Sequence, residues 1–127
     1  RGLGDVYKRQ YPSREIVSSP DREQLKEVLQ EISVKSSENL SVADMAKFCG
    51  WSSSHFMRWF KKMTGDSFTS YVNDRRLAEA AEALRQTDDK ILTISQDAGF
   101  MNLSNFNRQF KKRYGVTPRE YREMIGI

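Results

Sequence analysis

Apolar residues recur at helical spacing along seven stretches of this chain, and strand-like alternation is scarce. The first stretch, Leu25, Val28, Leu29 and Ile32, marks one face of a helix running to about Lys35. Ser19-Pro20-Asp21 opens it with a capping hydroxyl, a first-position proline and an acid in the first turn. Ser41 caps a second helix, with Asp44 three residues on; Val42, Met45 and Ala46 face inward, and Gly50 ends it. A third helix starts near Ser52–Ser53. Its apolar stripe is Phe56, Trp59, Phe60 and Met63, and its opposite face is Ser54, Met57, Arg58 and Lys61.

Gly65 closes that helix and Ser67 caps the longest, about Phe68 to Arg85, with Tyr71, Val72, Leu77, Ala80, Ala81 and Leu84 inward. At about 1.5 Å per residue it spans roughly 27 Å. Thr87-Asp88-Asp89 breaks the chain before a fifth helix, about Leu92–Ala98, which packs Ile91 and Ile94. Gly99-Phe100 turns, and Asn102 caps a sixth helix, about Leu103–Tyr114. Thr117-Pro118-Arg119-Glu120 supplies the cap, the first-position proline and the third-position acid of a seventh, with Tyr121 inward. The pattern predicts an all-α fold.

It also repeats. Gly50-Trp51, Phe56, Arg58, Phe60-Lys61-Lys62, Gly65 and Tyr71 return as Gly99-Phe100, Phe106, Arg108, Phe110-Lys111-Lys112, Gly115 and Tyr121. The offset is 49 residues up to the turn aromatic and 50 after it, so one turn carries an extra residue. A short helix, a tight glycine turn and a second helix with one aromatic and one basic face is the layout of a helix-turn-helix, whose second helix enters the DNA major groove. The long central helix joins the two units, residues 21–74 with its start and residues 75–127 with its remainder. A rod of that length can hold two readers about one DNA turn apart, so one chain is expected to touch two groove segments.

Charge follows the repeat. The net charge of +4 is weak evidence, because Arg1, Lys8 and Arg9 against Asp5 place +2 of it in the first ten residues. Distribution says more. Residues 48–65 hold Arg58, Lys61, Lys62 and no acid; residues 101–117 hold Arg108, Lys111, Lys112, Arg113 and no acid. Residues 20–38 hold five acids (Asp21, Glu23, Glu27, Glu31, Glu38) against three bases. A merely solvated surface would mix the signs, as would a helical domain built only for protein interaction.

The two readers carry matching chemistry. Arg58 and Arg108 are equivalent, and an arginine fork fits guanine O6 and N7, or a phosphate. Small polar residues open each helix, Ser53 and Ser54 in one, Ser104 and Asn105 in the other, where such helices approach base edges. Met57 and Asn107 are equivalent: asparagine can read adenine, while methionine offers apolar contact, for instance to a thymine methyl. The paired lysines follow a turn later, within reach of phosphate. Leu103 divides evenly between core and groove. His55 has a surface or capping role ahead of a base contact, and Cys49 reads as a small buried residue.

Other classes are poorly served. A single Cys and a single His leave no disulfide framework and no structural zinc site, and no apolar run is long enough to span a bilayer. No paired carboxylates in an apolar setting, no nucleophile with a base and no phosphate-cradling glycine loop point to an enzyme. No metal or cofactor is expected. Residues 5–10, Asp-Val-Tyr-Lys-Arg-Gln, are similar to a translated transposon end used in sequencing libraries, so Arg1–Gln10 is read as non-native, a natural basic arm being the alternative. Tyr11–Pro20 then reads as an interdomain linker.

Trp51-Ser-Ser-Ser-His-Phe-Met-Arg-Trp-Phe-Lys-Lys62, Gly65, Ser67-Phe68, Ile94 through Gly99-Phe100, Phe106-Asn-Arg-Gln-Phe-Lys-Lys112 and Gly115-Val-Thr-Pro-Arg-Glu-Tyr121-Arg122 resemble the DNA-binding domain of the AraC/XylS transcription regulators. The resemblance covers about residues 21–124. It implies seven helices in two helix-turn-helix units, and base contacts at Ser53, Ser54, Met57, Arg58, Leu103, Ser104, Asn107 and Arg108. Phosphate contacts are expected at Ser41, Lys61, Lys62, Asn102, Lys111 and Lys112. It further implies a fragment of a longer regulator acting on promoter DNA in the bacterial cytoplasm, at the nucleoid. Such a regulator usually activates through RNA polymerase, and a small-molecule effector would act through a sensor domain absent from this sequence. A stand-alone two-unit regulator is the alternative. Two departures stand out: Ser95 replaces the usual alanine, and Lys90 stands where a cap is wanted, so the second unit is expected to be the less stable.

Overall fold

The computed structural model describes residues 19–125. The non-native reading of Arg1–Gln10 and nearly all of the Tyr11–Pro20 linker lie outside the described residues. Within them the regular structure is entirely helical: α1 (Ser19–Lys35), α2 (Val42–Cys49), α3 (Ser53–Thr64), α4 (Phe68–Gln86), α5 (Ile91–Asp97), α6 (Leu103–Tyr114) and α7 (Pro118–Ile125).

Local chemistry sets most of these boundaries. Ser41 and Asp44 form a reciprocal capping box at α2. Ser52 accepts from the His55 amide at 3.2 Å and Asn102 from the Asn105 amide at 2.8 Å, which fixes the starts of α3 and α6. Thr117 and Glu120 exchange bonds at 3.1 and 2.9 Å before α7. Two expectations shift. Ser19 lies inside α1 rather than capping it. α5 starts at Ile91, because the Ile94 amide already bonds the Lys90 carbonyl at 3.0 Å. Lys90 gives that helix no side-chain cap, as its chemistry requires.

The helices group into two units. Among the described residues, one takes 19–34 with Leu40–Tyr71; the other takes Lys35–Asn39 with 72–125. In the first, Val28, Ile32, Phe56 and Phe60 are fully enclosed, and Phe56, Phe60 and Phe68 pack edge-on or tilted at 5.4–5.6 Å between ring centres. In the second, Leu77, Leu84, Phe106 and Phe110 form the centre, with Phe100 against Phe106 at 5.0 Å and Tyr121 against Phe110 at 5.3 Å. Each such aromatic stabilises the folded state by about 1.5–3 kcal/mol relative to exposure.

The repeat is wider than its sequence signature. Trp59 Nε1 donates to Asp21 Oδ1 at 3.1 Å in the first unit. At the equivalent place in the second, Asn73 Nδ2 donates to Gln109 Oε1 at 3.3 Å. α3 is thus tied to α1, and α6 to α4. Both turns close alike, with Trp51 N bonding Ala46 O at 2.8 Å and Phe100 N bonding Ser95 O at 3.0 Å. The extra residue is Met101, which is 95% exposed and so costs the packing nothing. Ser95 is buried, but its hydroxyl donates to the Leu92 carbonyl at 2.8 Å, so the polar intrusion is satisfied.

Two arginines do structural work. Arg76 donates from Nε and Nη2 to the carbonyls of Ser36 and Glu38, and the Ser36 hydroxyl donates to Glu79 at 2.9 Å, which pins the 35–39 loop to α4. Burial lowers the Arg76 pKa, and the charge of Glu79 opposes that shift. Arg122 donates to the carbonyls of Leu84, Thr87 and Asp89 at 3.3, 3.0 and 2.7 Å, which satisfies the end of α4 and the segment beyond it.

Candidate nucleic-acid interface

Amphipathic packing decides which side chains α3 and α6 present. Their aromatic stripes are buried: Phe56, Trp59, Phe60 and Met63 on α3, Phe106 and Phe110 on α6. The opposite faces are therefore forced outward. Ser53, Ser54, Met57, Arg58, Lys61 and Lys62 are exposed on α3; Leu103, Ser104, Asn107, Arg108, Lys111 and Lys112 are exposed on α6. Leu103, at 37% exposure, lies on the surface rather than in the core.

The electrostatics of the two helices agree. Neither has an acid in its first turn, which is true also of α4 and α5, whereas α1, α2 and α7 have one. The positive ends of α3 and α6 are left uncompensated, a setting that favours an anion. Both carry lysines in the last turn. Beside the exposed face of α3 lies an open hollow of about 410 Å³, lined by Val42, Met57, Lys61, Lys62 and Phe68 among others.

The candidate residues are not equally free. Arg108 Nη2 donates to Asn105 Oδ1 at 2.7 Å, whereas no hydrogen bond or ion pair engages Arg58 among the described residues. Arg113 is drawn to Asp74 at 3.7 Å and lies over the Tyr114 ring at 5.5 Å, so it is held against its own unit. Ser41 Oγ accepts the Asp44 amide, which leaves its hydroxyl proton to donate. Asn102 Oδ1 is occupied by the Asn105 amide, which leaves its NH₂ group.

His55 stacks on Trp51 at 4.4 Å with 17° between the rings, and Trp51 packs edge-on against Trp59 at 5.0 Å. Cys49 is half-buried and accepts from Gln24 at 3.5 Å. Burial pushes its thiol pKa up, and the charge of Glu27 adds to that. Among the described residues no cluster of His, Cys, Asp and Glu could hold a metal, and no helix is long and apolar enough to cross a membrane.

Asn105 has a second partner that the sequence does not announce. It opens α6 beside Ser104, is half-buried, and its side-chain carbonyl oxygen accepts from Arg108. The spacing of three between Asn105 and Arg108 was the available signal.

A helix-turn-helix domain family matches residues 45–124. The chain is 36% identical over 88 residues to the uncharacterized HTH-type transcriptional regulator YobQ of Bacillus subtilis, which covers 69% of this chain and 36% of that protein. It is 37% identical over 93 residues to the probable transcription factor PqrA of Proteus vulgaris, covering 73% of this chain and 76% of that one. Among solved structures it is similar to a transcriptional regulator of Chromobacterium violaceum described as AraC-type DNA-binding domain-containing. The TM-score is 0.75 at 28% identity, over 84% of this chain and 95% of that chain. The chain thus spans only about a third of the length of YobQ.

Proposed function

Because the chain belongs to the AraC-type helix-turn-helix family of transcription regulators, we propose that it reads double-stranded promoter DNA through α3 and α6. The observation that carries this reading is the repeated acid-free face. On two helices of the same design, an arginine and two lysines stand opposite a buried aromatic stripe.

In this reading Arg58 and Arg108 present two-donor edges to guanine, and Asn107 presents its amide to adenine. Met57 and Leu103 give apolar contact to thymine methyls, and Ser53, Ser54 and Ser104 bond base edges near the helix starts. Lys61, Lys62, Lys111 and Lys112 supply the salt-sensitive phosphate contacts. The Ser41 hydroxyl and the Asn102 NH₂ group donate to phosphate from the caps of α2 and α6. One chain occupies two adjacent major-groove segments. Activation proceeds through RNA polymerase at the bacterial nucleoid. Small-molecule control enters through a separate sensor domain, for which the longer relative leaves room.

Selection of bound sites from random duplexes tests the reading. The chain is expected to return a defined motif, and Arg108→Ala to lose preference at one base position with about 1–3 kcal/mol of specific affinity. An unchanged motif and affinity would make Arg108 a surface residue.

A further inference from the structure

Resting on that reading, we propose that Asn105 is a positioning residue which sets the Arg108 guanidinium for base contact, so that the two readers are unequal: α6 discriminates sharply and α3 permissively. Asn105 Oδ1 accepts from Arg108 Nη2 at 2.7 Å. Asn105 is itself placed, because its amide nitrogen donates to Asn102 Oδ1 at 2.8 Å and its side chain is half-buried. The residue after Arg108 is fixed as well, with Gln109 accepting from Asn73 at 3.3 Å. The segment that carries Asn107 and Arg108 is thus flanked on both sides by ordered amides.

The bond to Asn105 does not consume the arginine. A guanidinium has five N–H donors, and one hydrogen bond to Nη2 leaves a two-donor edge intact whichever of its protons is used. Asparagine at this place therefore orients the fork and still leaves it able to meet guanine.

The first reader lacks this device. The 50-residue offset puts His55 where α6 has Asn105 and Arg58 where it has Arg108. The His55 ring lies flat on Trp51, at 4.4 Å and 17°, rather than against Arg58. Among the described residues nothing holds Arg58. A free arginine must be ordered when it binds, at the cost of immobilising a rotamer-rich side chain. It also meets phosphate as readily as a base edge. Arg58 thus reads its base position permissively, and Arg108 reads its own sharply.

Site selection by the whole chain, run in parallel on the parent, Arg108→Ala, Asn105→Ala and His55→Asn, tests the proposal. Arg108→Ala locates the base position that α6 reads. Asn105→Ala is expected to lower preference at that same position by about 2- to 10-fold, with the salt dependence of affinity and the thermal melt unchanged. His55→Asn brings the amide into α3 and is expected to sharpen preference at the position read by Arg58. Asn105→Ala that leaves the preference intact, weakens every position evenly or lowers the melting temperature would overturn the positioning role. His55→Asn with no gain in preference would overturn the inequality of the readers. If Arg108→Ala alters nothing, the base-contact reading fails by itself, a result distinct from a failure confined to Asn105.

Discussion

Gly50 and Gly99 close equivalent turns, yet an alanine at each meets different surroundings. Both have positive φ, +78° at Gly50 and +103° at Gly99. Alanine pays for that conformation at either place, about 1–2 kcal/mol. At Gly50 a Cβ would enter open space, with nothing within 4 Å. At Gly99 it would stand 3.0 Å from Arg76 Nε and 3.0 Å from both Cα and O of Ser37. Neither neighbour yields easily, because Arg76 is the side chain that pins this loop through the Ser36 and Glu38 carbonyls. Overpacking of that kind adds about 1–3 kcal/mol. Gly50→Ala should thus destabilise by about 1–2 kcal/mol and Gly99→Ala by about 2–5 kcal/mol. Urea unfolding followed by far-UV circular dichroism measures the difference; tryptophan fluorescence would report mainly on the first unit, which holds both Trp51 and Trp59. Two variants within about 0.5 kcal/mol of each other would refute the close approach of the 35–39 loop to Gly99.

Trp59→Ala should cost about 3–5 kcal/mol of stability before it touches recognition, whereas Trp59→Phe should cost about 1 kcal/mol for the lost bond to Asp21. Melting curves decide; a fully folded Trp59→Ala that has lost only DNA affinity would move the residue to the interface. Lys62→Ala should weaken binding to all duplexes alike and flatten the salt dependence by roughly one unit of slope or less. Binding isotherms over a salt series check this, and a changed base preference at constant slope would contradict the phosphate role.

The helix ends were legible in the sequence because caps are local. Ser41 with Asp44, Asn102 with Asn105, and Thr117 with Glu120 each close over three residues. The buried stripes were legible because helical period alone separates Phe56 and Phe60 from Arg58 and Lys61. Contacts across thirty or forty residues were not legible. No spacing rule connects Arg76 to the carbonyls of the 35–39 loop, or Arg122 to those at and beyond the end of α4. The matched pairs Asp21–Trp59 and Asn73–Gln109 were hidden because they conserve a hydrogen bond while changing every residue that makes it. At the interface, periodicity says which side chains face out but not which of them hold one another. The bond between Asn105 and Arg108 is of that kind.

The proposed function has one chain reading two adjacent major-groove segments with two non-identical helices. Hydroxyl-radical footprinting on a selected duplex, with the stoichiometry of the same complex measured in solution, tests it most directly. The expected result is one chain per duplex, a non-palindromic site and protection of two neighbouring patches on one face of the DNA, with no small molecule added. A symmetric footprint that requires two chains, or binding that emerges only when a small molecule is supplied, would contradict it.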